Sequence, residues 1–129
     1  MNELTALGPI NLRLPPEPSL SRVLRLVASG IASLMDVTVE RVEDIKVAAS
    51  EVLLALIEHG AGEPVDVQFD ADGTSFTVRA KTAVVMFDAT HPDLLLCRRV
   101  LAEVCSQHSV DLVDGNIEIV AVIDHRSTS

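Results

Sequence analysis

The feature that most restricts this chain is a change of hydrophobic period near its middle. Between residues 20 and 59 the apolar residues recur every three or four positions, as they do in helices that bury one face. From Val65 the spacing becomes two. Val65, Val67 and Phe69 alternate with Asp66, Gln68 and Asp70. After an Asp72-Gly73 turn signal, Phe76, Val78 and Ala80 alternate with Thr77, Arg79 and Lys81. Such alternation makes strands with one buried and one wet face, paired as an antiparallel hairpin.

The remaining elements follow from the same patterns. Residues 1–9 read as a flexible tail. Ile10, Leu12 and Leu14 alternate with Asn11 and Arg13 in a first strand, stopped by Pro15-Pro16. Ser19 is the expected N-cap of a helix that buries Leu20, Val23, Leu24, Val27, Ile31 and Leu34 and turns Arg22, Arg25, Ser29 and Ser33 outward, with Gly30 as a weak spot. Thr38 caps a second helix over Val39–His59, with Glu40, Glu43 and Asp44 near its positive end and Gly60 as its stop. Ala83–Phe87 fits either a strand or a buried loop. Pro92 and Asp93 suit the first turn of a third helix, whose buried stripe is Leu94, Cys97, Leu101, Val104, Cys105 and His108. Val110–Val113 and Ile117–Ile123, joined at Asp114-Gly115-Asn116, form a closing hairpin. The expectation is one domain over residues 10–124 with a polar tail at 125–129. It is an α+β, two-layer sandwich: a mostly antiparallel sheet with helices on one face.

Composition narrows the function classes. The 129 residues are 48% hydrophobic with a mean hydropathy of +0.35, so a sizeable core forms without metal or disulfide staples. There are three Phe and no Tyr or Trp, and the net charge is −9. A base-stacking surface needs aromatic faces, and this field repels phosphate backbones, so nucleic acid is not an expected partner. No window reaches the roughly 18 apolar residues of a membrane helix, and the N-terminus lacks a basic-then-apolar signal. A cytoplasmic protein is the expectation, with no membrane partner. Cys97 and Cys105, eight apart in one expected helix, lie about 12 Å from each other, beyond disulfide reach, and read as free thiols.

The most informative stretch is Glu51-Val52-Leu53-Leu54-Ala55-Leu56-Ile57-Glu58-His59-Gly60. With the element order, it resembles the anti-sigma factor serine kinases of the GHKL, or Bergerat-fold, histidine-kinase-like ATPase superfamily, over about residues 10–123. In that family this helix carries a Glu-x-x-x-Asn motif, often followed by Ala-x-x-His. The Glu is the general base, and the Asn holds the nucleotide's magnesium. Glu51 and His59 match, whereas the Asn position is Ala55, whose methyl cannot ligate Mg²⁺. The family's second motif, Asp-x-Gly-x-Gly, falls on Thr82, Val84 and Met86. A hydroxyl replaces the carboxylate that receives adenine, and side chains stand where backbone must approach closely. The third element is a glycine-rich turn whose amides hold phosphate at a helix N-terminus. It corresponds to Thr90-His91-Pro92-Asp93-Leu94, where Pro92 removes a donor and Asp93 adds negative charge.

The resemblance therefore implies a regulatory protein-binding domain like an anti-sigma factor, a pseudo-kinase with no ATP or magnesium bound and no catalytic role for Glu51. The expected partner is a sigma factor or an anti-sigma antagonist, and a homodimer through the first strand and helix is in keeping with the family. Arg22, Arg25 and Ser29 are the expected partner-binding residues, because an arginine fork suits carboxylates at interfaces. Two alternatives remain open: an active serine/threonine kinase binding ATP, and a regulator holding a small molecule in the vacated pocket. Cys105 and His108 amount to half a zinc site, so no metal is expected. His91 and His125 read as loop and tail residues. Ser50 lacks a nucleophile elbow.

Overall fold

The computed structural model describes residues 5–125. Its elements run β1 (Ala6–Leu14), a 3₁₀ turn (Pro18–Leu20), α1 (Ser21–Leu34), α2 (Val39–His59), β2 (Val65–Asp72), β3 (Ser75–Ala83), α3 (Pro92–Val104), β4 (Gln107–Val113) and β5 (Asn116–Asp124). The five strands form one sheet in the order β1-β2-β3-β5-β4, and every neighbouring pair is antiparallel. The α+β two-layer reading holds. Register carries it: Leu12 lies opposite Val67, Val67 opposite Ala80, and Ala80 opposite Ile119, so one row of apolar side chains crosses the sheet on the helix side. Phe69 and Phe76 meet edge to face at 5.8 Å in the middle of this layer. On the other side Asp66, Gln68, Arg79 and Lys81 meet solvent.

Helix α2 crosses the centre of the sheet over β3 and β5, with α1 against it toward β2 and α3 against it toward β4. Thr38 caps α2, its hydroxyl accepting the Arg41 amide at 3.4 Å. Gly60 ends it, and the reason is contact. Its φ of −78° and ψ of 176° suit any residue, but a Cβ there would lie 2.6 Å from the Leu56 carbonyl and 2.7 Å from Thr82 Cγ2.

Several boundaries differ from the sequence reading. Strand β1 starts at Ala6, inside the expected tail, because a bulge at Gly8-Pro9 absorbs the proline on an edge strand and lets Leu7 pair with Ala71. Residues 1–4 and 126–129 of the expected tails lie outside the described residues. His125, assigned to the tail, is buried, with its Nε2 2.7 Å from the Asp72 carbonyl. The 3₁₀ turn replaces a Ser19 cap, and no side chain caps α1. Helix α1 is also rotated: it buries Leu24, Ala28, Ile31 and Ala32, whereas Val23 and Leu34 are exposed. Small Ala28 and Ala32 of α1 are fully buried, as are Ala48 and Ala49 of α2, the helix it packs against. Ala83 closes β3, and the loop after it is only partly buried: Val84 and Phe87 pack against the core, whereas Val85 and Met86 stand in solvent. Helix α3 stops at Val104. Cys105 is its cap and His108 belongs to β4, so neither continues the helical stripe.

Candidate functional site

Two clefts flank α2, and the residues singled out from the sequence divide between them. The first lies between α1 and α2. Arg22, Arg25, Leu26 and Ser29 of α1 face Glu43, Lys46, Val47, Ser50 and Glu51 of α2 across an open groove of about 540 Å³. Leu26 is 72% exposed and Val47 42%, so the groove presents apolar surface beside its charged side chains. Lys46 is held by Glu43 at 2.9 Å. Among the described residues, neither Arg22 nor Arg25 comes within ion-pair distance of a carboxylate. Ser29 differs from the other two: its hydroxyl donates to the Leu26 carbonyl of its own helix at 3.1 Å. Reading the two helices as polar outside and apolar inside missed Leu26 of α1 and Val47 of α2, since apolar residues off the buried stripe carry no periodic signal.

The second cleft lies between α2 and α3, where the family resemblance puts its nucleotide motifs. Glu51 stands on the ridge between the two clefts. Partial burial raises its carboxyl above the usual range, and its charge is felt at Cys97 of α3. One turn on, Ala55 is 7% exposed and packed into the core. Thr82 is 3% exposed, and its hydroxyl is spent on the chain itself, 3.0 Å from the Pro64 carbonyl and 3.3 Å from that of Glu63. The strand end is tied down on both sides. The Ala61 amide donates to the Ala83 carbonyl at 2.9 Å, and the Val84 amide to the Gly115 carbonyl at 3.2 Å. What remains open here is a pocket of about 180 Å³ lined by His59, Val84, Met86, Phe87, Asp88, His91 and Leu94. Pockets that hold drug-sized ligands run to about 300–1,000 Å³.

At the mouth of this pocket α3 begins with Pro92, and His91 is its N-cap. His91 is therefore not an ordinary loop residue: its Nδ1 accepts the Asp93 amide at 3.1 Å, and its ring meets that of His59 edge to face at 4.8 Å. Its place directly before a helix-starting proline was the available sequence signal. Cys97 is buried and Cys105 half-buried, and both are free. Burial first, then the Glu51 charge for Cys97 and the Asp44 charge for Cys105, pushes both thiols up to about 12.

At the positions that the resemblance assigns to the metal ligand and to the base, the structure has a buried methyl at Ala55 and, at Thr82, a hydroxyl already donating to backbone, beside a pocket of about 180 Å³.

No protein-family model matches the chain. Among curated proteins it is similar to serine-protein kinase RsbW of Bacillus velezensis, 36% identical over 55 residues, which is 43% of this chain and 34% of that one. The homologue from Bacillus subtilis is 35% identical over 54 residues, covering 42% of this chain and 34% of the relative. That from Bacillus pumilus is 37% identical over 59 residues, or 46% and 35%. The alignments thus span about a third of the length of these curated relatives. Among solved structures, a chain in the crystal structure of the SiaB-SiaC complex from Pseudomonas aeruginosa superposes with a TM-score of 0.62. It is 14% identical, and the match covers 93% of this chain and 91% of that one, so it speaks for the fold. Among the described residues, no helix is long and apolar enough to cross a membrane.

Proposed function

We propose, from its similarity to RsbW serine-protein kinases over the aligned part of its length, that the chain is a regulatory protein-binding domain without nucleotide chemistry. The observation that carries this reading is the contrast between the two clefts. The α2–α3 side is packed by Ala55 and tied off by backbone bonds at Ala83 and Val84, leaving about 180 Å³. The α1–α2 side keeps an open groove of about 540 Å³. Its chemistry suits a protein helix or strand better than a small molecule: the exposed apolar side chains of Leu26 and Val47, with Arg22 and Arg25 lining the same groove. Buried apolar contact supplies affinity in such a groove, and the arginine forks select carboxylates on the partner. In a chain of net charge −9, those two guanidiniums are a local exception that steers an acidic segment to this face.

The partner class is a sigma factor or an antagonist of an anti-sigma factor, as the kinship suggests. The RsbW relatives are named serine-protein kinases, and the solved neighbour belongs to a two-protein complex. Glu51 keeps the family's position, but Ala55 beside it offers no oxygen ligand for the magnesium that phosphoryl transfer uses to neutralise developing charge. The test combines two measurements. Arg22→Glu with Arg25→Glu should abolish capture of a sigma factor or anti-sigma antagonist from the native host, with the thermal midpoint nearly unchanged, as for exposed sites. Mg-ATP should give no titration heat at an affinity of about 100 µM or tighter. Unchanged capture would move the surface elsewhere, and tight ATP binding would return the chain to the active kinases.

A further inference from the structure

The α2–α3 pocket holds a cluster that the proposed docking face does not use. His59 ends α2, His91 caps α3, and Asp93 lies in the first turn of α3. One ligand atom from each can be chosen so that all lie within 4.8 Å of one another. His91 Nδ1 and Asp93 Oδ2 are 3.8 Å apart. Around a tetrahedral ion with bonds near 2.0–2.1 Å, ligand atoms stand about 3.3 Å from each other, so side-chain adjustments of an ångström or so close the set.

A second, independent observation points the same way. His59 Nε2 is buried without any hydrogen-bond partner, and it is the one buried side-chain nitrogen or oxygen in that state among the described residues. A buried ring nitrogen normally has a partner, because losing water without a replacement is unfavourable. His59 and His91 both line the same small pocket, which is large enough for an ion and its water and too small for a nucleotide.

We propose that His59, His91 and Asp93 form a binding site for a divalent transition-metal ion of the zinc class. Two imidazoles and one carboxylate suit zinc, cobalt or nickel and disfavour magnesium, which seeks an all-oxygen shell. His59 contributes Nε2, which gains the partner it lacks. His91 contributes Nδ1 and gives up the Asp93 amide it now accepts; that amide lies at an exposed residue where water replaces the bond. The positive end of α3 opposes a cation, and the carboxylates of Asp93 and of Asp88, which lines the pocket, offset it. Three protein ligands leave a fourth position for water or for a side chain of a docked partner. Neither Cys97 nor Cys105 lines this pocket or belongs to the cluster of ligand atoms.

The experiment titrates the full chain with Zn²⁺ alone against a chromophoric chelator, and with Co²⁺ to read its visible absorption. One ion per chain should bind with a dissociation constant tighter than about 100 µM. His59→Gln and His91→Gln should each weaken it at least about tenfold, and His108→Gln should not. Should His59→Gln fail to fold by circular dichroism, Asp93→Asn on the exposed start of α3 carries the same expectation. Weaker binding in the wild type, or wild-type affinity in these variants, overturns the site.

Discussion

Replacing Gly60 by alanine tests whether the end of α2 is clamped against β3 as described. The backbone there, φ −78° and ψ 176°, is open to any residue, so a conformational argument alone predicts a gain: the unfolded chain loses freedom, worth about 0.4–1 kcal/mol. Contact predicts the reverse. The new methyl would stand 2.6 Å from the Leu56 carbonyl oxygen and 2.7 Å from Thr82 Cγ2. Both neighbours are constrained. Leu56 accepts the Gly60 amide at 2.9 Å, closing the helix, and Thr82 is 3% exposed with its hydroxyl bonded to the Glu63–Pro64 backbone. Relief needs shifts of most of an ångström in packed atoms, and overpacking of that kind typically destabilises by about 1–3 kcal/mol. The net expectation is a loss of about 1–2 kcal/mol, or roughly 3–8 °C of thermal midpoint for a chain this long. Urea and thermal unfolding of wild type, Gly60→Ala, Thr82→Ser and the double variant provide the measurement. Thr82→Ser removes Cγ2, one of the two obstacles, and keeps the hydroxyl. The double variant should therefore lose less than the sum of the singles, by about 0.5 kcal/mol or more. A Gly60→Ala protein as stable as wild type, or strict additivity with Thr82→Ser, would show that the clamp closing the nucleotide side of the fold is not there.

Two further outcomes follow from the titration of buried groups. Burial raises the Glu51 carboxyl, so the native state holds its proton to higher pH than the unfolded chain, and stability falls as pH rises from the ordinary carboxylate range through the raised value. Glu51→Gln should thus be at least as stable as wild type at neutral pH and lose that advantage in acid; a pH-independent difference in urea midpoint would refute it. Cys97 and Cys105, both pushed up to about 12, should react with a disulfide reagent far more slowly in the native state at pH 8 than in denaturant. Fast native labelling of either thiol would contradict their burial.

Local pattern made much of this molecule legible. The switch from helical to alternating period marks α2, β2 and β3, since each residue's facing depends on neighbours within a turn or a strand. Thr38, the Asp72-Gly73 turn and Pro92 act through hydrogen bonds or torsions of adjacent residues, and all appear where expected. The methyl of Ala55 and the hydroxyl of Thr82 are likewise chemical facts of single positions, readable directly from the sequence. The start of β1 was not legible, because Gly8-Pro9 looks like a break until β2 supplies a partner that accepts the bulge.

What the tertiary structure decided is how separate elements meet. Helix α1 buries Ala28 and Ala32 together with Leu24 and Ile31, which leaves Leu26 beside Arg22 and Arg25 in a groove with α2. Periodicity ranks residues by size and apolarity and does not register that small residues let two helix axes come close. His59 and His91 are separated in the chain by the whole β2–β3 hairpin, yet their rings touch because α3 packs back on α2. The sequence by itself determined which stretches bury a face. Which faces meet, and therefore which cleft stays open and which polar groups converge in it, depends on contacts between residues far apart in the chain, where local period carries no information.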